Sequence, residues 1–227
     1  MSRFRNAPCE GNMEAVLRIF GYVKGHLRSR LVFDPAYRDW TTVDWYDGAD
    51  WKEFYPDAVE LIPPGAPEAL GNEVQINIFC DAAHATCLAT RRSTTGVLIF
   101  LNGAAVRWYS KRQNTVETST FGSEFVAMKI AIEMNDALRY KLRMMGVPID
   151  GAANVFGDNA SVVKNVTRPE STLNKRHNAI AYQKCREACA CGSARVAHEP
   201  GKANCSDGLT KILTGVPFYH FARSVLY

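Results

Sequence analysis

Ile76-Asn77-Ile78-Phe79-Cys80-Asp81-Ala82 is the stretch of sequence that decides the fold. Apolar side chains alternate along it and the run ends on a carboxylate, a pattern typical of a β-strand that places one acid at the edge of a sheet. Three later acids, Glu124, Asp158 and Asp207, also lie at the edges of apolar elements. Because hard cations such as Mg²⁺ prefer oxygen ligands, four such carboxylates indicate a divalent-metal site.

The elements around this stretch alternate between strands and helices. Asn102-Gly103 separates two further β-rich runs and is a strong signal for a tight hairpin. Apolar residues at helical spacing then run from Ser119 to Met145. Shorter elements follow in the order strand, helix, helix, strand, helix, and they span 154–158, 159–166, 179–190, 194–198 and 206–213. This order predicts a mixed α/β layout with a central sheet.

The N-terminal part of the chain has a different character. Helical spacing begins near Gly11, and the chain from Asp34 to Gly71 scatters aromatic residues, acids and prolines in a way typical of an irregular connector. We therefore place a boundary at Gly71. The predicted parts are a connection segment over 1–70, a domain over 71–214 and a tail over 215–227.

The composition is that of an ordinary globular chain. Its 227 residues are 47% hydrophobic and 22% charged, which suffices for a substantial core. No apolar run reaches the roughly 20 residues of a spanning helix, and no signal-peptide core follows Met1. We expect an intracellular protein, cytoplasmic or nuclear, without a membrane partner. The net charge of +4 permits a polyanionic partner without requiring one.

The cysteines do not form a recognisable framework. Seven is an odd number, which favours reduced thiols in an intracellular protein. Cys185, Cys189 and Cys191 lie close together but lack the second matching pair of a zinc site, so they are interpreted as core or surface residues.

Several motifs in the same order resemble the ribonuclease H domain of copia-type retrotransposon polyproteins. They are Cys80-Asp81-Ala82, Arg91 to Gly96, Trp108 to Val116, Ser119 to Ala127, Asp158 to Ser161, Lys175-Arg176-His177 and Ser206 to Lys211. The resemblance covers about residues 74–213, and the segment from Glu14 to Gly25 looks like the end of the reverse transcriptase that precedes such a domain. It implies a ribonuclease H-like fold, with a central mixed five-stranded sheet flanked by helices and an N-terminal helical and irregular extension.

The resemblance also implies an activity. Such domains are endonucleases that hydrolyse the RNA strand of RNA–DNA hybrids and leave 5′-phosphomonoesters, and the reverse transcriptase of the same polyprotein is the expected partner. Two Mg²⁺ ions, for which Mn²⁺ can substitute, are expected at Asp81, Glu124, Asp158 and Asp207. By this analogy Asp81 bridges the ions, Asp207 holds the ion that activates water, and Glu124 with Asp158 holds the ion near the leaving oxygen.

Further residues are candidates by the same analogy. His198 precedes Asp207 in a loop where some ribonucleases H keep a histidine for proton transfer or product release, although an idle loop histidine is an equal alternative. Candidates for substrate contact, each of which is also interpretable as an ordinary surface or capping residue, are Arg91, Arg92, Ser93, Ser123, Asn159, Arg176 and His177. Such contacts should read the RNA 2′-OH and the backbone rather than bases.

Two departures from the copia pattern leave substrate preference open. Ala83 stands where a second acid is usual, and Asn178-Ala179 stands where Ile-Asp is usual. Neither change removes an expected metal ligand. Two other classes remain open at this point: a non-catalytic module that binds hybrids or supports the reverse transcriptase, and a DNA-cutting enzyme of the same superfamily.

Overall fold

The computed structural model describes residues 7–46, 50–173 and 176–226. The chain divides after Val32 into two compact units, and the second unit runs from Phe33 to Val225. The first unit contains helix α1, Glu10–Gly25, which buries none of its residues. None of the helices in the described ranges is long and apolar enough to cross a membrane.

The second unit is built on one five-stranded sheet. Its strands are β1 (Ile76–Ala83), β2 (Thr94–Leu101), β3 (Ala104–Arg112), β4 (Ala153–Gly157) and β5 (Ala194–His198), and their order in the sheet is β3-β2-β1-β4-β5. Strands β1, β2 and β3 are antiparallel, whereas β1, β4 and β5 are parallel, so the predicted mixed sheet is confirmed. The helices of this unit are α2 (Trp51–Phe54), α3 (Thr120–Met144), α4 (Ala160–Thr167), a 3₁₀ helix (Arg176–Asn178), α5 (Ala179–Ala190), α6 (Asp207–Thr210) and α7 (Val216–Val225).

The predicted hairpin joins β2 to β3. Asn102 has a φ of 52°, which suits the left-handed region that Asn tolerates in tight turns. Its side chain also accepts a hydrogen bond from the Gln75 amide at 2.7 Å and donates one to the Pro35 carbonyl at 2.8 Å. The turn therefore fixes the sheet register and holds the segment before the sheet.

One face of the sheet packs against the long helix α3 and against α5. Ile76, Ile78 and Cys80 point from β1 toward this side, as the alternation in the sequence predicts. Phe125 and Ile132 of α3 meet them and are fully buried. This face forms the main hydrophobic core.

The opposite face is aromatic and is covered by residues from outside the predicted domain. Phe79, Phe100 and Phe156 pack there with Trp40, whose ring centroid lies 4.6 Å from that of Phe156. Phe221 of α7 packs on the same cluster. We call residues 33–46 the strap, since they cross this face.

A buried polar network attaches the strap to the sheet. Asn77 is fully buried, and its side-chain oxygen accepts hydrogen bonds from Trp40 Nε1 at 2.7 Å and from Asn154 Nδ2 at 2.8 Å. Arg195 Nε donates to Asn154 Oδ1 at 2.6 Å. Buried amides require hydrogen-bond partners, so the strap satisfies a polar group in the sheet in addition to covering its apolar face.

The remaining connector docks on α3. Glu60 accepts two hydrogen bonds from Arg139, at 2.6 and 2.7 Å, and a third from Arg143 at 2.7 Å. Burial acts to raise the pKa of Glu60, but these guanidinium groups outweigh it and lower the pKa. The compact unit thus begins at Phe33, whereas the sequence placed a boundary at Gly71. The reverse-transcriptase origin of residues 1–70 stays a prediction.

Candidate active site

Asp81 lies at the centre of the site, near the end of the central strand β1. Only 1% of its surface is exposed. It pairs with Gly96 on β2, where a Cβ atom would lie 2.7 Å from Thr210 Cγ2 and 2.9 Å from the Ser206 carbonyl oxygen. Because Gly96 has no side chain, α6 approaches closely enough for Thr210 Oγ1 to donate a hydrogen bond to Asp81 Oδ2.

Two further acids converge on Asp81 from α3 and β4. Glu124 lies in the first turns of α3, whose start is fixed by Ser119 capping the Gly122 amide. Cys80 pairs with Gly157 in the parallel register, so the next residues, Asp81 and Asp158, are brought together at the carboxyl ends of their strands. Carboxylate oxygens of Asp81, Glu124 and Asp158 all lie within 4.8 Å of one another.

Asp207 lies beside this triad rather than within it. It begins α6, and its Oδ1 accepts a hydrogen bond from Lys211 Nζ at 2.6 Å. The same ammonium nitrogen lies 3.7 Å from Asp81 Oδ2. Of the four expected ligands, three therefore converge directly and the fourth is joined to Asp81 through a lysine.

Burial and the charges of nearby carboxylates raise the proton affinity of all three acids. Burial, followed by the charges of Asp81 and Asp158, raises the pKa of Glu124 to about 9. Burial is also the largest cause that raises the pKa of Asp81 and of Asp158, while the charge of Lys211 acts in the opposite direction on both. Neighbouring carboxylates that cannot all ionise at low cost are suited to a cation.

The donor set fits a magnesium-type ion. Carboxylate oxygens are hard ligands, and the triad is partly buried near the carboxyl ends of β1 and β4. A divalent cation would supply the positive charge that these acids lack and would displace the proton held by Glu124. In the described residues no other His, Cys, Asp or Glu group of three or more has this geometry, and Cys185 is fully buried in the core.

The pKa of Glu124 predicts how the stability of the chelated protein depends on pH. Its ordinary value is 4.5 and its folded value is about 9, so between these values the folded protein keeps a proton that the unfolded chain has released. Stability contributed by this group therefore falls as pH rises through that window. We expect Glu124→Gln to flatten the decline and to stabilise the protein by about 2 kcal/mol at pH 8 relative to pH 6.

Thermal unfolding in chelator at several pH values measures this effect. Glu133→Gln is the matched control, because Glu133 lies on the same helix in an exposed pair with Lys129 at 2.8 Å. The control should keep the wild-type slope. Parallel curves for Glu124→Gln and wild type would contradict the expected pKa.

His198 and the loop that follows it contact Asp158. His198 Nε2 lies 3.0 Å from the Asp158 carbonyl oxygen, and since a carbonyl only accepts, this nitrogen carries the proton. The ring is exposed. A Cβ atom at Gly201 would lie 3.2 Å from Asp158 Oδ2, and Asn204 Nδ2 donates to the Cys80 carbonyl at 2.9 Å. The loop is thus fixed against both acid-bearing strands.

The candidates near the first strand surround a histidine that sequence reasoning did not include in the site. His84 Nδ1 lies 3.3 Å from Ser123 Oγ and 3.5 Å from Ser93 Oγ. Both serines are fully buried, whereas Arg91 and Arg92 are exposed and Arg91 has a φ of 54°. The only signal in the sequence for His84 was its position one residue after the missing second acid.

The remaining candidates lie in different places. Asn159 directly follows Asp158, and its Oδ1 caps α4 by accepting from the amides of Ser161 and Val162. Arg176 and His177 are exposed, and His177 Nε2 lies 3.6 Å from Glu117 Oε2. Lys175 of the same motif lies outside the described residues. Substrate contact by these residues stays a prediction.

The sheet order and the acids at the ends of β1 and β4 define a ribonuclease H-like domain. No family model matches the chain, but the retrovirus-related Pol polyprotein from transposon RE2 of Arabidopsis thaliana is 24% identical to it over 155 residues. The related polyprotein from transposon RE1 of the same plant is likewise 24% identical over 155 residues. The match covers 68% of this chain and 11% of the polyprotein, so the chain spans about a tenth of that relative's length.

Two other proteins are similar to part of the chain. The secreted RxLR effector protein 161 of Plasmopara viticola is 42% identical over 133 residues, which are 59% of this chain and 69% of that protein. Among solved structures, LC11-RNase H1 in complex with an RNA/DNA hybrid is 18% identical, with a TM-score of 0.47. That similarity covers 60% of this chain and 93% of that protein.

Proposed function

We propose that this chain is a Mg²⁺-dependent endoribonuclease that hydrolyses the RNA strand of RNA–DNA hybrids and leaves 5′-phosphates, as part of retrotransposon reverse transcription inside the cell. The convergence of Asp81, Glu124 and Asp158, with oxygens within 4.8 Å of one another, carries this proposal. A structural or purely binding module has no need for three clustered acids whose pKa values are all raised, chiefly by burial.

Asp81, Glu124 and Asp158 would hold a divalent ion, and Asp81 with Asp207 would hold a second. When bound, such ions supply a nucleophilic water at neutral pH and stabilise charge on the leaving oxygen. The protein contributes rigidity: Thr210 fixes one oxygen of Asp81, and the parallel register fixes Asp158 beside it. The placement of the acids is therefore set before substrate binds.

His198 is suited to move protons at the border of the site. Its Nε2 is engaged by the Asp158 carbonyl, which leaves Nδ1 of the neutral ring able to accept a proton. Because the ring is exposed, it can exchange that proton with solvent. We assign it to proton transfer or product release rather than to metal binding.

Contacts to the hybrid are expected from exposed cations near the triad. Arg91 and Arg92 lie on the loop between β1 and β2, and Lys111 is exposed on β3. Such residues meet phosphates regardless of sequence, so binding should weaken as salt increases. His84 stands between Ser93 and Ser123 and is a further candidate for reading the RNA strand.

Cleavage of a labelled RNA strand in an RNA–DNA hybrid tests the proposal. Cutting should require Mg²⁺ or Mn²⁺, stop in chelator, and spare single-stranded RNA and duplex DNA. Cutting of duplex DNA would instead support the DNA-cutting alternative. A folded protein that binds the hybrid without cutting it would support the binding module.

The reverse transcriptase of the same polyprotein is the partner we infer. Two of the relatives with matching sequence are Pol polyproteins, of which this chain spans about a tenth. The exposed Met13, Leu17 and Phe20 of α1 are consistent with a segment that continues into a neighbouring domain.

A further inference from the structure

Lys211 is anchored at the edge of the acidic site. It follows Thr210 directly, and its amide donates to the Asp207 carbonyl at 2.9 Å. Two other contacts hold α6 in place: the Ser110 hydroxyl donates to the Leu209 carbonyl at 2.5 Å, and the helix packs on the bare backbone of Gly96. The base of the lysine side chain is therefore fixed, and its direction is set by the fold.

The ammonium group lies between two of the expected metal ligands. Its distances are 2.6 Å to Asp207 Oδ1 and 3.7 Å to Asp81 Oδ2. Asp81 is shared, since it also belongs to the triad with Glu124 and Asp158. A cation that bridged Asp81 and Asp207 would lie where the lysine charge now stands.

We propose that Lys211 is a positioning residue whose ammonium competes with a divalent ion for the edge between Asp81 and Asp207. The triad draws Glu124 and Asp158 from outside the ion pairs of Lys211, so its ion competes less directly with the ammonium. A second ion binds only when the lysine side chain moves away, which 45% exposure of that side chain allows. This inference rests on the proposed metal-dependent function, and it makes the two ions unequal in affinity.

The competition has a further consequence for Asp207. While the lysine is in place, it holds the Asp207 carboxylate close to Asp81 and neutralises their repulsion. When the lysine moves away, a divalent ion can take its place between the two carboxylates, and the free lysine can approach a substrate phosphate.

Calorimetric titration with Mn²⁺ in the absence of substrate tests the inference on the full chain. Wild type should bind one ion tightly and a second weakly. Lys211→Met should tighten the second site by about tenfold, as expected from removing one positive charge a few ångströms from a divalent ion in water. Lys211→Arg should keep the wild-type pattern because it keeps the charge.

Lys202→Met is the matched control, because Lys202 is exposed in the loop just before α6 and has no contact with these acids among the described residues. It should leave both affinities within twofold of wild type. Melting temperature in chelator provides a second readout: Lys211→Met should be less stable than wild type without metal and should gain more from Mn²⁺.

The outcomes separate the two proposals. Equal Mn²⁺ affinities in wild type and Lys211→Met, with both folded, would overturn the role of Lys211 and leave the hydrolase proposal intact. Absence of Mn²⁺ binding in every variant would overturn the metal site itself, and this inference with it. Tightening by Lys202→Met to the same extent would show a general charge effect and would also overturn the specific role of Lys211.

Discussion

Asp81→Asn should reduce hybrid cleavage by about a thousandfold or more while the protein stays folded. Asp81 belongs to the triad and also to the expected second metal position, which it shares with Asp207, so its replacement affects both positions. A loss of about 4 kcal/mol of transition-state stabilisation, within the range supplied by metal ions, corresponds to that factor.

The fold should survive because asparagine has nearly the same shape. Its side-chain oxygen can still accept the hydrogen bond from Thr210, and the substitution removes a buried charge whose pKa is raised by its surroundings. The melting temperature in chelator should therefore equal or exceed that of wild type, whereas stabilisation by Mn²⁺ should be lost.

Asp150→Asn is the control for this variant. Asp150 is an acid outside the triad that precedes β4, and its replacement should leave cleavage within a few-fold of wild type. Cleavage by Asp81→Asn at more than a tenth of the wild-type rate would contradict the assignment of Asp81 as a metal ligand.

Removal of residues 1–70 should prevent stable folding, whereas removal of residues 1–32 should not. The longer deletion uncovers Phe79, Phe100 and Phe156 and leaves the Asn77 side chain without Trp40. Exposed aromatic rings cost about 2 kcal/mol each and an unpaired buried amide about 1–3 kcal/mol. The total approaches the entire stability of an ordinary domain.

The shorter deletion is the matched comparison. It ends where the second compact unit begins, and α1 buries none of its residues. Circular dichroism and thermal unfolding of the two truncated proteins measure the difference. A cooperative, wild-type transition in the protein that begins at Gly71 would show that the strap is dispensable. Trp40→Ala in the full chain should cost about 3 kcal/mol for the same reason.

The parts of the fold that sequence predicts well are those with local causes. Alternation along Ile76 to Asp81 and the Asn102-Gly103 turn specify β1 and the hairpin, since each depends on neighbouring residues. The positions of the acids at the ends of β1 and β4 can be predicted for the same reason, because each acid lies at the end of an apolar strand pattern. Glu124 is less determined by pattern, because an acid near a helix start is common for electrostatic reasons alone.

The strap could not be found in this way because its cause is distant. Trp40 bonds to Asn77 across 37 residues, and nothing in the irregular segment around it has a period. One signal for the strap is present in β1. Asn77 and Phe79 lie on the face of β1 away from α3 and are buried, so this second face of the sheet must also be covered by another segment. The role of Lys211 has a distant cause too, since its contact with Asp81 joins residues far apart in the chain. The helix predicted over 206–213 is limited in the structure to the four residues of α6, and Lys211 directly follows it.

The central strand acquires its neighbours at very different stages of chain collapse. β2 is the next strand after β1 and pairs with it, and β3 pairs with β2 through the Asn102-Gly103 turn, whereas Asn77 meets Asn154 across 77 residues. Long-range parallel pairing closes a larger loop and forms late in folding. Asp158 reaches Asp81 only after that step, so the ion site is absent from early folding species. A divalent ion should therefore slow unfolding and leave the refolding rate nearly unchanged.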